Sequence, residues 1–474
     1  MTAEIGRLLM PAIRWSEATG FEHERGRITE ALQLGVGGFI FFGGPPDEVA
    51  GLIREIRARA AEPLLMASDL ERGAGQQFPG LREIPPPAAL AALGDLDAVR
   101  AAGRVTGRDA ALTGLDWVFA PDADLDCEPQ NPIVQTRAFG ADPATVSRCV
   151  TAWIEGCTEA GVLSCAKHFP GHGRTTTDSH AGLPVVRAGR EELEQDLAPF
   201  RAAIVAGVPA VMTAHVAFPA LDPSGAPATL SSSILGMLRR DLGFGGVIVS
   251  DALIMEGAFE GRSEGDAYVE AVAAGVDILL YPKELATAHA ALRRAVSNGR
   301  LHAGRLADAV RRREHLLVRL HDMRASWDGP PIEGHPGLAD RLLALPLARG
   351  SAPSLREPIE LVIVDDDLGG PYPVSPSDWV ARALGEAGIA LGTGGSRVVL
   401  LFSEPRAWKG RAGLGVESAT RLADAAVHAD LVALFGHPRL VSAVPGHGPV
   451  MVTWHRQRLM QEALARWIVA RVRR

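Results

Sequence analysis

Short apolar, often β-branched runs recur through the first 280 residues of this 474-residue chain. They fall at 8–13, 38–42, 64–68, 117–120, 163–166, 210–213, 247–249 and 277–280. Each is short enough to be a buried strand. The segments 47–60, 142–160, 190–206, 231–242 and 264–274 are rich in Ala, Leu, Glu and Arg and repeat their apolar positions with helical period. Helix starts are visible too, such as Asp142 followed by Pro143 at the first helical position. Strand–helix alternation predicts parallel strands joined by helical crossovers. Eight such strands in this length fit an α/β fold with an N-terminal (β/α)8 TIM-type barrel. An open doubly wound sheet would give the same alternation.

Polar residues at the strand ends sharpen this reading. Asp69 ends the third run, and Asp122 and Asp124 follow the fourth. Lys167 and His168 end the fifth, His215 the sixth and Asp251 the seventh. Parallel strands bring all of these to one carboxyl-terminal rim, where barrel enzymes keep their chemistry. Taken singly, an Asp after a strand caps a helix or makes a turn, and Asp122, Asp124 and Asp126 are read that way. Five successive strands with ionisable ends read as an active-site rim.

Beyond residue 320 the pattern changes. Segments 327–336 and 350–358 are rich in Pro and Gly and read as linkers around a short helix. Four further apolar runs at 359–364, 397–402, 431–435 and 450–453, with helices at 377–387 and 418–428, predict a smaller α/β sandwich-like domain. The expected organisation is a catalytic barrel over 1–325, a linker over 326–357 and a C-terminal domain over 358–474. Gly392-Thr393-Gly394-Gly395 is not a GxGxxG after a strand and reads as a turn. His437, His447 and His455 read as structural or exposed.

Composition narrows the class. Hydrophobic residues at 47% and charged residues at 22% suit a globular protein with a sizeable core. A formal net charge of -8 offers no basic surface to nucleic acid or an anionic membrane. Cys127, Cys149, Cys157 and Cys165 lack CxxC spacing, so neither a zinc site nor a disulfide framework is expected. The first residues carry an early Glu4 and no long apolar core, and no 18-residue apolar span follows. A soluble, cytoplasmic protein is the expectation, with no metal or organic cofactor.

The densest chemistry lies in Lys167-His168-Phe169-Pro170-Gly171-His172-Gly173-Arg174, followed by Asp178-Ser179-His180. A carboxylate near an imidazole fixes its tautomer and supports the charged ring, so Asp178 and His180 could move protons near neutral pH. The plain alternative is a solvated surface loop. A buried Lys167 could alternatively be a Schiff-base nucleophile.

Together these motifs resemble family 3 glycoside hydrolases, and specifically the branch of β-N-acetylglucosaminidases with an Asp-His loop. The match runs in order along the chain. It takes in Gly37-Gly38-Phe39-Ile40-Phe41-Phe42, the segment from Asn131-Pro132-Ile133 to Arg137-Ala138-Phe139-Gly140, Met212-Thr213-Ala214-His215-Val216 and Gly243 to Asp251. The resemblance implies a retaining glycosidase acting on terminal β-linked N-acetylhexosamine, with Asp251 as nucleophile. His180 would be the acid/base and Asp178 its orienting group. Asp69, Arg137, Lys167, His168 and His215 would bind the sugar. A small carbohydrate is the implied partner. Alternatives on the same fold are a phosphorylase using the same intermediate, or a non-catalytic sugar-binding protein; a β-glucosidase fits less well, because the Asp-His loop is present. The chain departs from the family at Asp69-Leu70-Glu71-Arg72-Gly73-Ala74, where Ala74 stands in place of a sugar-contacting Arg and Arg72 is a candidate for the same space. Ala252 after Asp251 is a second departure, since the branch often has another Asp there.

Overall fold

The computed structural model describes residues 2–177, 182–259, 261–325, 337–370 and 374–472. Asp178 and His180 therefore lie outside the described residues. The barrel strands are β1 (Leu9–Met10), β2 (Ala12–Arg14), β3 (Gly38–Phe42), β4 (Leu65–Ser68), β5 (Trp117–Val118), β6 (Cys165–Phe169), β7 (Ala210–Thr213), β8 (Val247–Val249) and β9 (Leu279–Leu280). Every pairing among them is parallel. Ladders run β2-β3-β4-β5, β6-β7-β8 and β1-β9. Bridges from Trp117 to Leu163 and from Val249 to Ile278 join them, so the sheet closes into a barrel.

The first strand of that barrel is split in two by its own sequence. Pro11 has no N–H to give, so the ladder is interrupted there, although its carbonyl still accepts the Ile40 N–H at 3.0 Å. On either side of it, β1 pairs with β9 while β2 pairs with β3. The interior is filled by side chains from around the ring, including Met10, Ile40, Leu65, Trp117, Leu163, Met212, Val249 and Leu280. The helix Ala303–Ala325 sends Leu316 and Leu320 into this same cluster. Its buried Arg313 donates to the carbonyls of Gly37 and Pro63, fixing the helix to the barrel.

One long helix in the ring, Leu96–Leu112, packs closely on Pro143–Glu159. Glycines permit this approach: a Cβ on Gly103 would stand 2.4 Å from the Trp153 carbonyl oxygen, and one on Gly156 would stand 2.0 Å from that of Arg100.

The second sheet comprises β10 (Ile359–Asp365), β11 (Ser396–Ser403), β12 (Leu431–Gly436) and β13 (Val450–Val452), parallel and in that order. Helices cover both faces. Trp379–Glu386, Arg458–Val469 and Leu338–Leu343 pack on one, and Val416–Ala426 on the other. Within the segment expected as a linker, residues 326–336 lie outside the description, while Leu338–Leu343 is packed helix. Leu338 joins the barrel's helix-side core, and Leu342 and Leu343 join the second sheet's core. Polar contacts tie the two sheets' units together. The Asp126 carboxylate takes His437 at 2.9 Å and Arg439 at 2.7 Å, and Gln457 donates to the Ile84 carbonyl at 2.9 Å.

Candidate active site

The carboxyl ends of the barrel strands enclose a cavity of about 350 Å³, lined by residues from at least six of them. Asp69, Arg137, Lys167, His168 and Asp251 all face it. So do Arg14, Glu71, Arg72, Gln76, His172 and Tyr281. The volume lies at the small end of ligand pockets and suits about one sugar ring.

Two ionic clusters build one wall. In the first, buried Glu71 takes Arg137 through two hydrogen bonds of 2.9 Å and Lys167 at 2.7 Å. Lys167 also donates to Asp69 at 2.8 Å. Burial alone would raise the Glu71 pKa, but the guanidinium of Arg137 and the ammonium of Lys167 hold it well below the ordinary carboxylate value. Burial would likewise discharge Lys167; Asp69 and Glu71 overcome this and raise its pKa. Lys167 is thus a fixed cation, which argues against the Schiff-base alternative, since that chemistry needs a depressed amine pKa.

In the second cluster, Asp124 accepts the His168 ring Nδ1 at 2.8 Å, the His168 N–H at 3.2 Å and the His172 N–H at 2.6 Å. Despite burial, those partners hold Asp124 at about 2 and, through its charge, lift His168 above 6.5. His172, buried beside that cation, is pushed down to about 4. Asp122 next door is raised to about 8 by burial and by the Asp124 charge. Asp122, Asp124 and His168 are the described residues whose ligand atoms could surround a cation, all within 4.8 Å of one another. The Asp124 and His168 atoms already satisfy each other. The turn reading of Asp122 and Asp124 needs correction. Asp122 does make an Asx turn, accepting the Asp124 N–H at 2.9 Å, yet both carboxylates are buried in the site.

The loop after β6 needs glycine for a spatial reason. A Cβ on Gly173 would fall 1.6 Å from the Leu125 carbonyl oxygen, so only glycine lets the chain pass against the Asp122–Asp126 segment. His172 is further held by Thr175 Oγ1 at 2.9 Å from its Nδ1.

Asp251 follows β8 and accepts the Ala252 N–H at 2.7 Å. Just before it, Ser250 Oγ accepts the Leu280 N–H at 2.9 Å, coupling the end of β8 to β9. His215, expected to bind sugar, is placed otherwise. It is fully buried, is not among the cavity-lining residues, and bonds Thr229 Oγ1 at 2.8 Å and the Ala252 carbonyl at 3.2 Å. It steadies the backbone beside Asp251. Arg14 and Tyr281 are additions that the strand-end argument passed over. Arg14 ends β2, donates to the Tyr281 hydroxyl at 2.8 Å and stacks 4.2 Å over Phe42.

The His168–Asp124 pair makes a pH prediction. The folded pKa of His168 lies above 6.5, so the stability this histidine contributes is fully present below about pH 6.5 and fades as pH rises through the folded value. Asp124 acts oppositely, its contribution present above 3.8 and lost as pH falls toward 2. Between pH 6 and 9 the thermal midpoint of the native protein should therefore fall more steeply than that of His168→Gln. Parallel curves would show that His168 carries no such charge.

A closed parallel barrel with ionisable side chains gathered around a rim cavity defines this chain as a barrel protein of the enzyme type. A family model described as the glycosyl hydrolase family 3 N terminal domain matches residues 1–316, and the chain belongs to that family. It is similar to the β-N-acetylglucosaminidase/β-glucosidase of Cellulomonas fimi, 35% identical over 298 residues that cover 60% of this chain and 52% of that protein. The chain thus spans about half the length of that relative. It also resembles the β-hexosaminidase of Nitrosomonas eutropha, 34% identical over 62% of this chain and 89% of that one. Among solved structures, the family 3 β-N-acetylglucosaminidase of Paenibacillus sp. str. FPU-7 aligns over 100% of this chain and 97% of that one, with a TM-score of 0.84 and 28% identity.

Proposed function

We propose that this protein is a retaining β-N-acetylglucosaminidase that hydrolyses terminal β-linked N-acetylhexosamine. The observation that carries the reading is the placement of Asp251 at the end of β8, facing one sugar-sized cavity together with Asp69, Arg137, Lys167 and His168. The names of the relatives, β-hexosaminidase and β-N-acetylglucosaminidase, support the same substrate class.

In this reading Asp251 attacks the anomeric carbon and forms a glycosyl ester, which water then resolves with net retention. The leaving oxygen takes a proton from His180, whose ring Asp178 orients; these two roles rest on the sequence resemblance. Lys167 and Asp69, already joined at 2.8 Å, offer a donor and an acceptor fixed in place for ring hydroxyls. Arg137 is held flat by its two bonds to Glu71, so its fork arrives oriented. His215, through the Ala252 carbonyl, and Ser250, through the Leu280 N–H, keep the Asp251 segment in register.

The test is release of p-nitrophenol from the β-N-acetylglucosaminide and the β-glucoside, with the product anomer followed by NMR. The N-acetyl sugar should be preferred and the β-anomer should form first. Initial formation of the α-anomer would overturn the retaining mechanism, and preference for the glucoside would overturn the substrate class.

A further inference from the structure

Arg72 is a cation of the cavity wall whose side chain has no hydrogen-bond partner among the described residues. It is partly buried and lines the same cavity as Asp251. Ala74, by contrast, is fully buried and is not a lining residue. Among the described residues, the Arg72 side chain has neither a hydrogen bond nor an ion pair within 4 Å; only its backbone is engaged, the N–H donating to Gln76 Oε1 at 2.9 Å. The carboxylates that act on it from a distance are Glu71 and Glu404. Both are already committed. Glu71 is divided between Arg137 and Lys167. Glu404, on the loop after β11, takes His455 at 2.9 Å, the Arg456 N–H at 2.8 Å and Arg406 at 2.8 Å. Arg406 and Arg137 also press on Arg72 as like charges.

A partly desolvated guanidinium with no partner is costly unless an anion meets it, and its planar fork matches a carboxylate or phosphate. Gln76 adds a donor beside it. Its side-chain oxygen is taken by the Arg72 N–H, which leaves the amide NH2 on a residue that also lines the cavity.

We propose that Arg72, with Gln76, is the oxyanion-recognition element of this cavity, receiving a carboxylate or phosphate that accompanies the sugar. Placing it beside a reacting sugar rests on the glycosidase reading above. The oxyanion has two possible sources. It is either a carboxylate carried on the leaving group or free phosphate acting as acceptor. In the second case a phosphate oxygen bonds to the anomeric carbon while the ester bond to Asp251 breaks, returning the electron pair to the carboxylate and releasing a sugar 1-phosphate. The glycosyl ester of Asp251 is neutral, so the cavity is then more receptive to an anion than in the free enzyme.

The experiment compares the native protein with Arg72→Gln and Arg72→Lys on two aryl β-N-acetylglucosaminides with leaving groups of matched pKa, one neutral and one bearing a carboxylate. Each is assayed with and without inorganic phosphate. A charge-assisted bond of this kind is worth about tenfold to a hundredfold. A carboxylate on the leaving group predicts that the kcat/KM ratio of anionic over neutral substrate falls by that factor in Arg72→Gln and recovers in part in Arg72→Lys. A free acceptor predicts instead that phosphate accelerates turnover by the native protein and yields sugar 1-phosphate, and that Arg72→Gln loses this effect. If Arg72→Gln changes neither the ratio nor the phosphate response, the proposal is overturned. Calorimetric titration of inorganic phosphate into the full chain separates the two readings. If the native protein turns over neither glycoside, the glycosidase reading fails. Phosphate binding that weakens tenfold or more in Arg72→Gln still supports the Arg72 assignment, and equal or absent binding overturns it.

Discussion

Asp251→Asn is expected to lower kcat on a β-N-acetylglucosaminide by about 10^4-fold or more, the scale on which loss of a nucleophile acts. The amide keeps the size of the side chain and can still accept the Ala252 N–H, so the segment after β8 should hold its course. What it lacks is the charge and the oxygen nucleophile. Thermal midpoint and kcat measured on the same preparation separate the two effects. An unchanged midpoint with the large loss of kcat is the expected outcome. A variant that folds and retains kcat within tenfold would take Asp251 out of the chemistry.

The second large effect concerns Glu71→Ala. One buried carboxylate is shared by the Arg137 guanidinium and the Lys167 ammonium, so its removal leaves two cations facing each other in a desolvated wall, with Asp69 bonded to Lys167 and Asp122 at 3.9 Å from Arg137. Breaking a buried pair by removing one partner costs about 3–5 kcal/mol. Urea denaturation should show a loss of that order, and kcat/KM should fall because Arg137 and Lys167 lose their common anchor. Glu71→Gln keeps an acceptor in place and should lose less. A loss below about 1 kcal/mol in Glu71→Ala would mean that water or Asp122 takes over the role.

Much of this architecture is readable in the chain because strand ends and chemistry coincide. The runs containing β4 and β8 are nearly continuous apolar segments, and the first ionisable residues after them, Asp69 and Asp251, fall on one rim. The first strand is harder to read. Its 8–13 run is one hydrophobic segment, but Pro11 divides it between two neighbours, a consequence that only the ladder reveals. The helix Leu96–Leu112 meets Pro143–Glu159 through Gly103 and Gly107, a close approach that appears only once the two helices pair. Asp122 and Asp124 are ambiguous by nature. An aspartate after a strand makes a turn whether it is solvated or buried, and the pairing with His168 brings together residues 44 apart. His215 shows the converse: a histidine at a strand end that turns inward to Thr229 and the Ala252 carbonyl. Glu71 lies within the Asp69–Ala74 motif, yet its grip on Arg137 and Lys167 appears only once three strands meet.

The most direct measurement of the central claim is mass spectrometry of the protein after reaction with a slow fluorinated N-acetylglucosaminyl substrate, followed by proteolysis and peptide sequencing. A covalent sugar adduct on the peptide containing Asp251, at the Asp251 side chain, is the result the account predicts. Turnover of the same sugar with no adduct under any trapping condition, or an adduct on another residue, would contradict it.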